Sequence, residues 1–227
     1  MTTVPVVSQV LKANDQVAAQ NRAAFERAGA AVLNVMASPG AGKTSLILAT
    51  IATLRHHLRF GVIEGDLAGS IDADRIAREE IPVVQINTGG TCHLDAPMVR
   101  TALPHLPLDE LDVLWIENVG NLICPTSYAL GSDLNVVVAS VPEGHDKPYK
   151  YPGIYAKADV VVLNKTDLLD VFEFDLQAFE RGVRMVNPSV PLFLVSCRTT
   201  HGLAEWCEWL AGRVAQVRAP RMALAAA

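Results

Sequence analysis

The sequence predicts an α/β domain: a mostly parallel β-sheet with helices on both faces, preceded by a lead-in helix. Three observations carry this expectation. Short apolar runs alternate along the chain with longer stretches of helical period, the pattern of strands joined by crossover helices. Several runs are continuously apolar, Val160–Leu163 being the clearest, as befits strands covered on both sides. The chain has 227 residues, 50% of them hydrophobic and 19% charged, which suits one well-filled domain and is short for two.

Taken in order, Val7–Gly29 carries Val10, Val17 and Phe25 at helical spacing, with Gly29 as a stop, so residues 1–29 read as an amphipathic helix laid on the main domain. Strands are expected at Ala31–Ala37, Phe60–Glu64, Val83–Asn87, Val113–Glu117, Asn135–Val141, Val160–Asn164 and Leu192–Ser196. Helices are expected at Gly42–His56, Asp72–Glu79, Asp95–Leu103, Leu176–Met185 and Leu203–Val217. Residues 30–217 thus form the main domain, and 218–227, rich in Ala and containing Pro220, read as a flexible tail.

The net charge of −5 argues against a broad nucleic-acid interface. No apolar run is long enough to cross a bilayer, and Met1–Val10 lacks the layout of a signal peptide, so the expectation is a cytoplasmic protein without membrane or nucleic-acid partners. In that compartment Cys92, Cys124, Cys197 and Cys207 are buried thiols or metal ligands before they are disulfides.

The segment Ala37-Ser38-Pro39-Gly40-Ala41-Gly42-Lys43-Thr44 follows a strand and opens a helix, the context of a Walker A loop and hence of a P-loop NTPase fold. Gly40, Ala41 and Gly42 turn backbone amides toward phosphate oxygens at a helix N-terminus, with Ser45 in the first turn. Lys43 would reach the β- and γ-phosphates and Thr44 would hold Mg²⁺. Ala37 stands where the usual pattern has its first glycine, a position that tolerates a small side chain.

Asn164-Lys165-Thr166-Asp167 follows a strand and reads as a guanine selector. Asp167 can accept from guanine N1–H and the exocyclic amine while Lys165 packs along the base; adenine would leave the carboxylate unpaired, a mismatch worth on the order of 10⁴-fold. Ser196-Cys197 lies where a second base-contacting loop belongs. GTP is therefore the expected nucleotide, in preference to kinase-like use of ATP. Asp66 and Glu117 sit at strand ends, and Glu117-Asn118-Val119-Gly120 occupies the place of a γ-phosphate switch in which Gly120 donates its amide. Lys43, Asp66, Glu117 and Gly120 are the catalytic candidates, with Thr44, Asp66 and Glu117 around Mg²⁺; a solvated strand-end acid or a helix cap is the plainer reading of each carboxylate. No general base announces itself, which suits slow phosphoryl transfer driven by positioning.

Cys92 and His93 are adjacent in a Gly-rich loop, and Cys124 follows the switch. Sulfur and imidazole suit Ni²⁺ or Zn²⁺. From these residues alone packing and ligation are equal readings, and three ligands leave a shell that a second copy of the chain could complete. His105 is a further candidate ligand, whereas Cys197 and Cys207 read as packing residues.

Taken together, Ser38–Thr44, Glu64-Gly65-Asp66-Leu67, Asp72-Ala73-Asp74-Arg75-Ile76, Gln85–Gly89, Cys92–Ala96, Glu117–Pro125, Glu143-Gly144, Asp146-Lys147-Pro148, Lys150-Tyr151-Pro152, Asn164–Leu169 and the Trp206–Leu210 region resemble the hydrogenase nickel-incorporation GTPase family HypB over roughly residues 30–210. The resemblance implies nickel, and also zinc, held by Cys92, His93 and Cys124 between two copies that dimerise with GTP. It further implies delivery to the large subunit of a nickel–iron hydrogenase with a HypA-type chaperone. Met1–Gly29 contains neither Cys nor His, so the separate N-terminal metal site or His-rich arm of some members is not expected. Ser38 stands where some relatives in the wider class carry a lysine reaching across a dimer; Lys147 or Lys150 is the expected substitute.

Overall fold

A computed structural model describes residues 6–67, 69 and 71–225. The first helix, α1, spans Val6–Ala28, and strand β1 (Ala31–Ala37) leads into α2 (Lys43–Leu54). Next come β2 (Phe60–Asp66), α3 (Ile71–Ala77), β3 (Val83–Asn87), α4 (Ala96–Ala102) and β4 (Val113–Glu117). After β5 (Leu134–Ser140) lie two short helices, α5 (Lys147–Lys150) and α6 (Pro152–Ala156), then β6 (Val160–Asn164), α7 (Leu176–Val186), β7 (Leu192–Leu194) and α8 (Leu203–Ala225).

The seven strands form one sheet in the order β3-β2-β4-β1-β5-β6-β7, and every pairing is parallel. Alternate side chains of each strand feed opposite cores. Leu33, Val35 and Ala37 of β1 pack with α2 and with Trp206, Leu210 and Val214 of α8. Val32 of the same strand faces Phe25 of α1 and Val99 of α4, while Met36 joins Ile154, Tyr155 and Phe179 beneath α6 and α7. Helices therefore cover both faces, as the continuous apolar runs require.

Four local outcomes depart from the sequence reading. First, α1 is not seated by the apolar positions alone: Val10 is 48% exposed, and the buried stripe is Asn14, Ala18, Asn21 and Phe25. The asparagines serve backbone groups of the domain. Asn21 Nδ2 donates to the Ala96 and Leu130 carbonyls at 2.9 and 3.3 Å, and Asn14 donates to Ala129 O at 2.9 Å while accepting from Ala96 N at 2.8 Å. Second, α5 and α6 were not anticipated; their prolines, Pro148 and Pro152, sit in the first helical turn, where a missing N–H costs nothing. Third, β7 ends at Leu194 because the Ser196 amide turns away to the His201 carbonyl at 2.9 Å.

The fourth is the expected tail at 218–227. Residues up to Ala225 continue α8 past Pro220, while 226–227 lie outside the described residues. Arginines hold this last stretch. Arg218 meets Asp112 at 2.6 Å and donates to Gly29 O at 2.9 Å. Buried Arg221 grips Asp133 in a two-pronged pair at 2.5 and 3.0 Å and also donates to Ala30 O. Asp133 accepts in addition from Val32 N at 2.9 Å and from Arg22 of α1 at 3.4 Å. Because this carboxylate and guanidinium are both out of water, Arg221→Ala is expected to cost about 3–5 kcal/mol in chemical denaturation. The exposed Arg75–Asp72 pair supplies the control: Arg75→Ala should cost about 0–1 kcal/mol.

Candidate nucleotide and metal site

Because all strands are parallel, their carboxyl ends open on one edge of the sheet, and the predicted residues gather there. The loop from β1 to α2 is shaped by Gly40 and Gly42, both left-handed, with φ of 76° and 98°. At Gly42 a side chain is excluded twice over, because a Cβ would also fall 2.4 Å from Asn164 Nδ2. Ala37 ends β1 fully buried in extended backbone, where alanine replaces glycine without strain. The result is a backbone cradle at the N-terminus of α2, with Lys43 opening the helix.

The selector loop is braced directly to this cradle. Asn164 Nδ2 donates to Ala41 O at 3.0 Å and Lys165 Nζ to Gly40 O at 2.7 Å. Asn164 Oδ1 accepts from Lys165 N and Cys197 N at 2.8 and 3.3 Å. Asn164 thus acts as a strut between the two loops, and Asp167 lines the cavity beside it. Lys165 adopts φ 60°, a left-handed backbone rare for a residue with a side chain and of the kind held at ligand clamps. Ser196 Oγ donates to Asp167 Oδ1 at 2.6 Å and is fixed in turn by Thr199 N at 3.1 Å. A cavity of about 320 Å³ opens here between Ser45, Asn164, Lys165, Asp167, Cys197 and Arg198. Burial pushes the Cys197 thiol up to about 11, so its contribution is its backbone amide.

The acids at the strand ends are arranged differently from expectation. Glu117 is buried and its Oε1 accepts from Thr44 Oγ at 2.8 Å. Its cross-strand neighbour is Glu64, also buried, and neither Oε2 has a protein partner. Burial, and then the charge of Glu117, push Glu64 up to about 8. Burial pushes Glu117 up to about 7 against the opposing pull of Lys43 and Thr44. Asp66, by contrast, spends its carboxylate on its own loop, accepting from Leu67 N and Gly69 N at 2.5 and 3.2 Å. Gly120 lies against the cradle itself: a Cβ there would meet Pro39 N at 2.8 Å, so the switch segment can approach only without a side chain.

Cys92, His93 and Cys124 come together as the loops after β3 and β4 meet, with their ligand atoms within 4.8 Å of one another. The two sulfurs are 3.0 Å apart and Cys92 Sγ lies 3.9 Å from His93 Nδ1. The Cys92 loop is closed by Thr88, whose Oγ donates to Thr91 O at 2.6 Å, and Cys124 N is held by Asn121 Oδ1 at 3.4 Å. Tyr128 stacks on the His93 ring at 3.9 Å between centroids. Burial holds the imidazole below its ordinary range, which keeps it neutral and able to ligate. The Cys92 contact, and then burial, hold the Cys124 thiol above its usual range, so a metal must displace a proton there. Among the described residues this is the one such cluster; His105 lies outside it on a short turn, and Cys207 is packed in the core.

The family model described as CobW/HypB/UreG, nucleotide-binding domain, matches residues 31–193. The chain is 46% identical over 207 residues to hydrogenase maturation factor HypB of Azotobacter chroococcum mcd 1, covering 91% of this chain and 68% of that protein. The chain belongs to the HypB family. Within it, the probable hydrogenase maturation factor HypB of Methanocaldococcus jannaschii is 39% identical, over 94% of this chain and 96% of that protein. The crystal structure of HypB from Helicobacter pylori in complex with nickel matches with TM-score 0.85 at 39% identity, covering 89% of this chain and 95% of that one. HypB from Archaeoglobus fulgidus matches with TM-score 0.84 at 35% identity, over 89% and 99%.

Three neighbours of the HypB-family site escaped the sequence reading. Glu64 was visible as the first acid of Glu64-Gly65-Asp66, but its pairing with Glu117 follows from strand order. Tyr128 and Arg198, the latter 3.8 Å from Asp167 on an exposed side chain, carry no local signal. The raised Glu64 gives a pH test. A carboxyl whose folded value of about 8 exceeds the ordinary 4.5 keeps its proton longer when folded, so stability falls as pH rises between them. In metal-free, nucleotide-free protein Glu64→Gln should therefore melt a few degrees above the parent at about pH 8 and level with it near about pH 5, each kcal/mol being worth roughly 2–4 °C.

Proposed function

We propose that this chain is a GTP-hydrolysing metallochaperone. It binds nickel, and zinc in the same ligand set, at Cys92, His93 and Cys124 where two copies meet with GTP, and assists nickel insertion during hydrogenase maturation. The observation that carries this reading is the brace from Asn164 and Lys165 to the Ala41 and Gly40 carbonyls: base selector and phosphate cradle form one unit, with a soft three-ligand cluster on the loops beside it. The relatives' names and the nickel-bound neighbour support nickel as the cargo. The partners that fit are a HypA-type nickel chaperone and the hydrogenase large subunit. A thiol-reducing cytoplasm fits the free Cys92 and Cys124.

In this reading the cradle amides and Lys43 hold the phosphates while Asp167 and Lys165 fix guanine. Thr44 and Glu117, with Glu64 and Asp66 beside them, fit Mg²⁺: two buried carboxyl oxygens without partners, on neighbouring strands, form a donor set whose mutual repulsion a divalent ion relieves. When bound, that ion neutralises charge on the β- and γ-phosphate oxygens. Gly120 brings its amide toward the γ-phosphate from the side of Pro39. No side chain among the described residues announces itself as a general base, which fits slow turnover. Lys147 lies 5.7 Å from the Tyr151 ring centroid and Lys150 pairs with Asp146, so a cross-dimer role for either lysine needs that contact exchanged for phosphate. Gly120 repositioning on γ-phosphate loss would move Cys124 and so tie metal affinity to the nucleotide.

Steady-state turnover and nucleotide binding test the enzyme reading. Lys43→Ala should abolish GTP hydrolysis, and Asp167→Asn should cut the preference for GTP over ATP by roughly 100-fold or more. Equal ATP and GTP affinity in the unaltered protein would sink it. Equilibrium dialysis with Ni²⁺ and mass measurement test the metal reading: Cys92→Ala should lose the bound ion and the GTP-analogue dimer should hold it. Unchanged nickel binding in Cys92→Ala is the contrary outcome.

A further inference from the structure

The switch segment after β4 and the metal loop after β3 meet at Cys92 and Cys124, and they are joined a second time through a buried side-chain amide. Asn118, between Glu117 and Gly120, is fully buried. Its Oδ1 accepts from Leu94 N and from Val119 N, both at 3.0 Å. Its Nδ2 donates to Asn34 Oδ1 at 3.2 Å, and Asn34 donates onward to Asn135 Oδ1 at 3.2 Å. Both lone pairs of the Asn118 carbonyl are thereby used, and its own backbone N–H is tied to Val35 O at 3.0 Å in β1.

Leu94 is the residue after His93 and is itself fully buried. Its side chain fills the space over Gly65 so closely that a Cβ there would lie 2.7 to 2.8 Å from three Leu94 carbons. Gly65 stands between Glu64 and Asp66, as Asn118 stands between Glu117 and Gly120. Leu94 is therefore held from two sides, its amide by one nucleotide-facing strand end and its side chain by the other. Neither hold has slack: a buried N–H that loses its acceptor keeps the whole desolvation penalty, and a close-packed contact switches between discrete arrangements instead of deforming.

We propose that Asn118 and Leu94 are positioning residues that transmit the state of the nucleotide to the Cys92–His93 limb of the metal site. A shift of either strand end on γ-phosphate binding carries Leu94 with it, and His93 is one bond chain away. This rests on the reading that nucleotide and metal affinity are linked, and adds a second route, separate from the direct run of chain between Gly120 and Cys124.

The test is the ratio of Ni²⁺ affinities in GDP and in a non-hydrolysable GTP analogue, measured on the full chain by competition with a chromophoric chelator. The unaltered protein should give a ratio well away from one. Asn118→Ser and Leu94→Ala should bring it to within about twofold of one, in Leu94→Ala with nucleotide affinity kept, and Leu94→Met, which conserves volume, should restore it. If Asn118→Ser does not fold, Leu94→Ala with Leu94→Met decides alone. A parental ratio preserved in Leu94→Ala overturns the assignment, as does an equal loss of Ni²⁺ affinity in both nucleotide states, the mark of a merely structural role. A ratio of one in the unaltered protein overturns the underlying linkage instead, and this route falls with it.

Discussion

Register across a fully parallel sheet is the constraint on which the site depends. Backbone pairing places Glu64 opposite Glu117 and Glu117 opposite Val35, and all three strands end on the same edge. A slip of one residue would turn Glu117 to the other face and break its bond to Thr44. The same pairing forces two carboxylates together out of water, an arrangement that favours a proton or a cation between them. This edge is thus less stable than an apolar one of the same shape would be.

The cradle and the selector are equally interdependent. Asn164 ends β6, supports the Ala41 carbonyl and accepts the amides of Lys165 and Cys197. The loop after β1 and the loop after β6 are consequently one rigid unit, and Gly42 is confined to glycine by its neighbour as well as by its backbone. The cluster of Cys92, His93 and Cys124 is built on other loops but touches the same edge, through Asn118 and Leu94.

What could be read from the sequence was whatever is local in it. The strands, the Ala37–Thr44 loop, the Asn164–Asp167 loop and the Cys92–His93 pair each announce themselves within a few residues. The Glu64–Glu117 pair did not, because it exists only once β2 lies beside β4. Nor did the docking of α1, since an apolar count ignores Asn14 and Asn21, whose value lies in carbonyls far along the chain. The last turns of α8 were misread for a related reason: Pro220 argues for a break, and the partners of Arg218 and Arg221 are Asp112 and Asp133, remote in sequence.

Asp133 ties the first and last helices to the sheet. It receives Arg22 from the first helix, Arg221 from the last and Val32 N from the central strand, at the amino edge of the sheet and away from the candidate site at the carboxyl ends. A tug on α1 and a tug on α8 load the same carboxylate. Unravelling by an ATP-driven unfoldase begun from α8 would thus meet this knot first, whereas a pull begun from α1 would reach it only after the Asn14 contacts to Ala129 and Ala96 had given way.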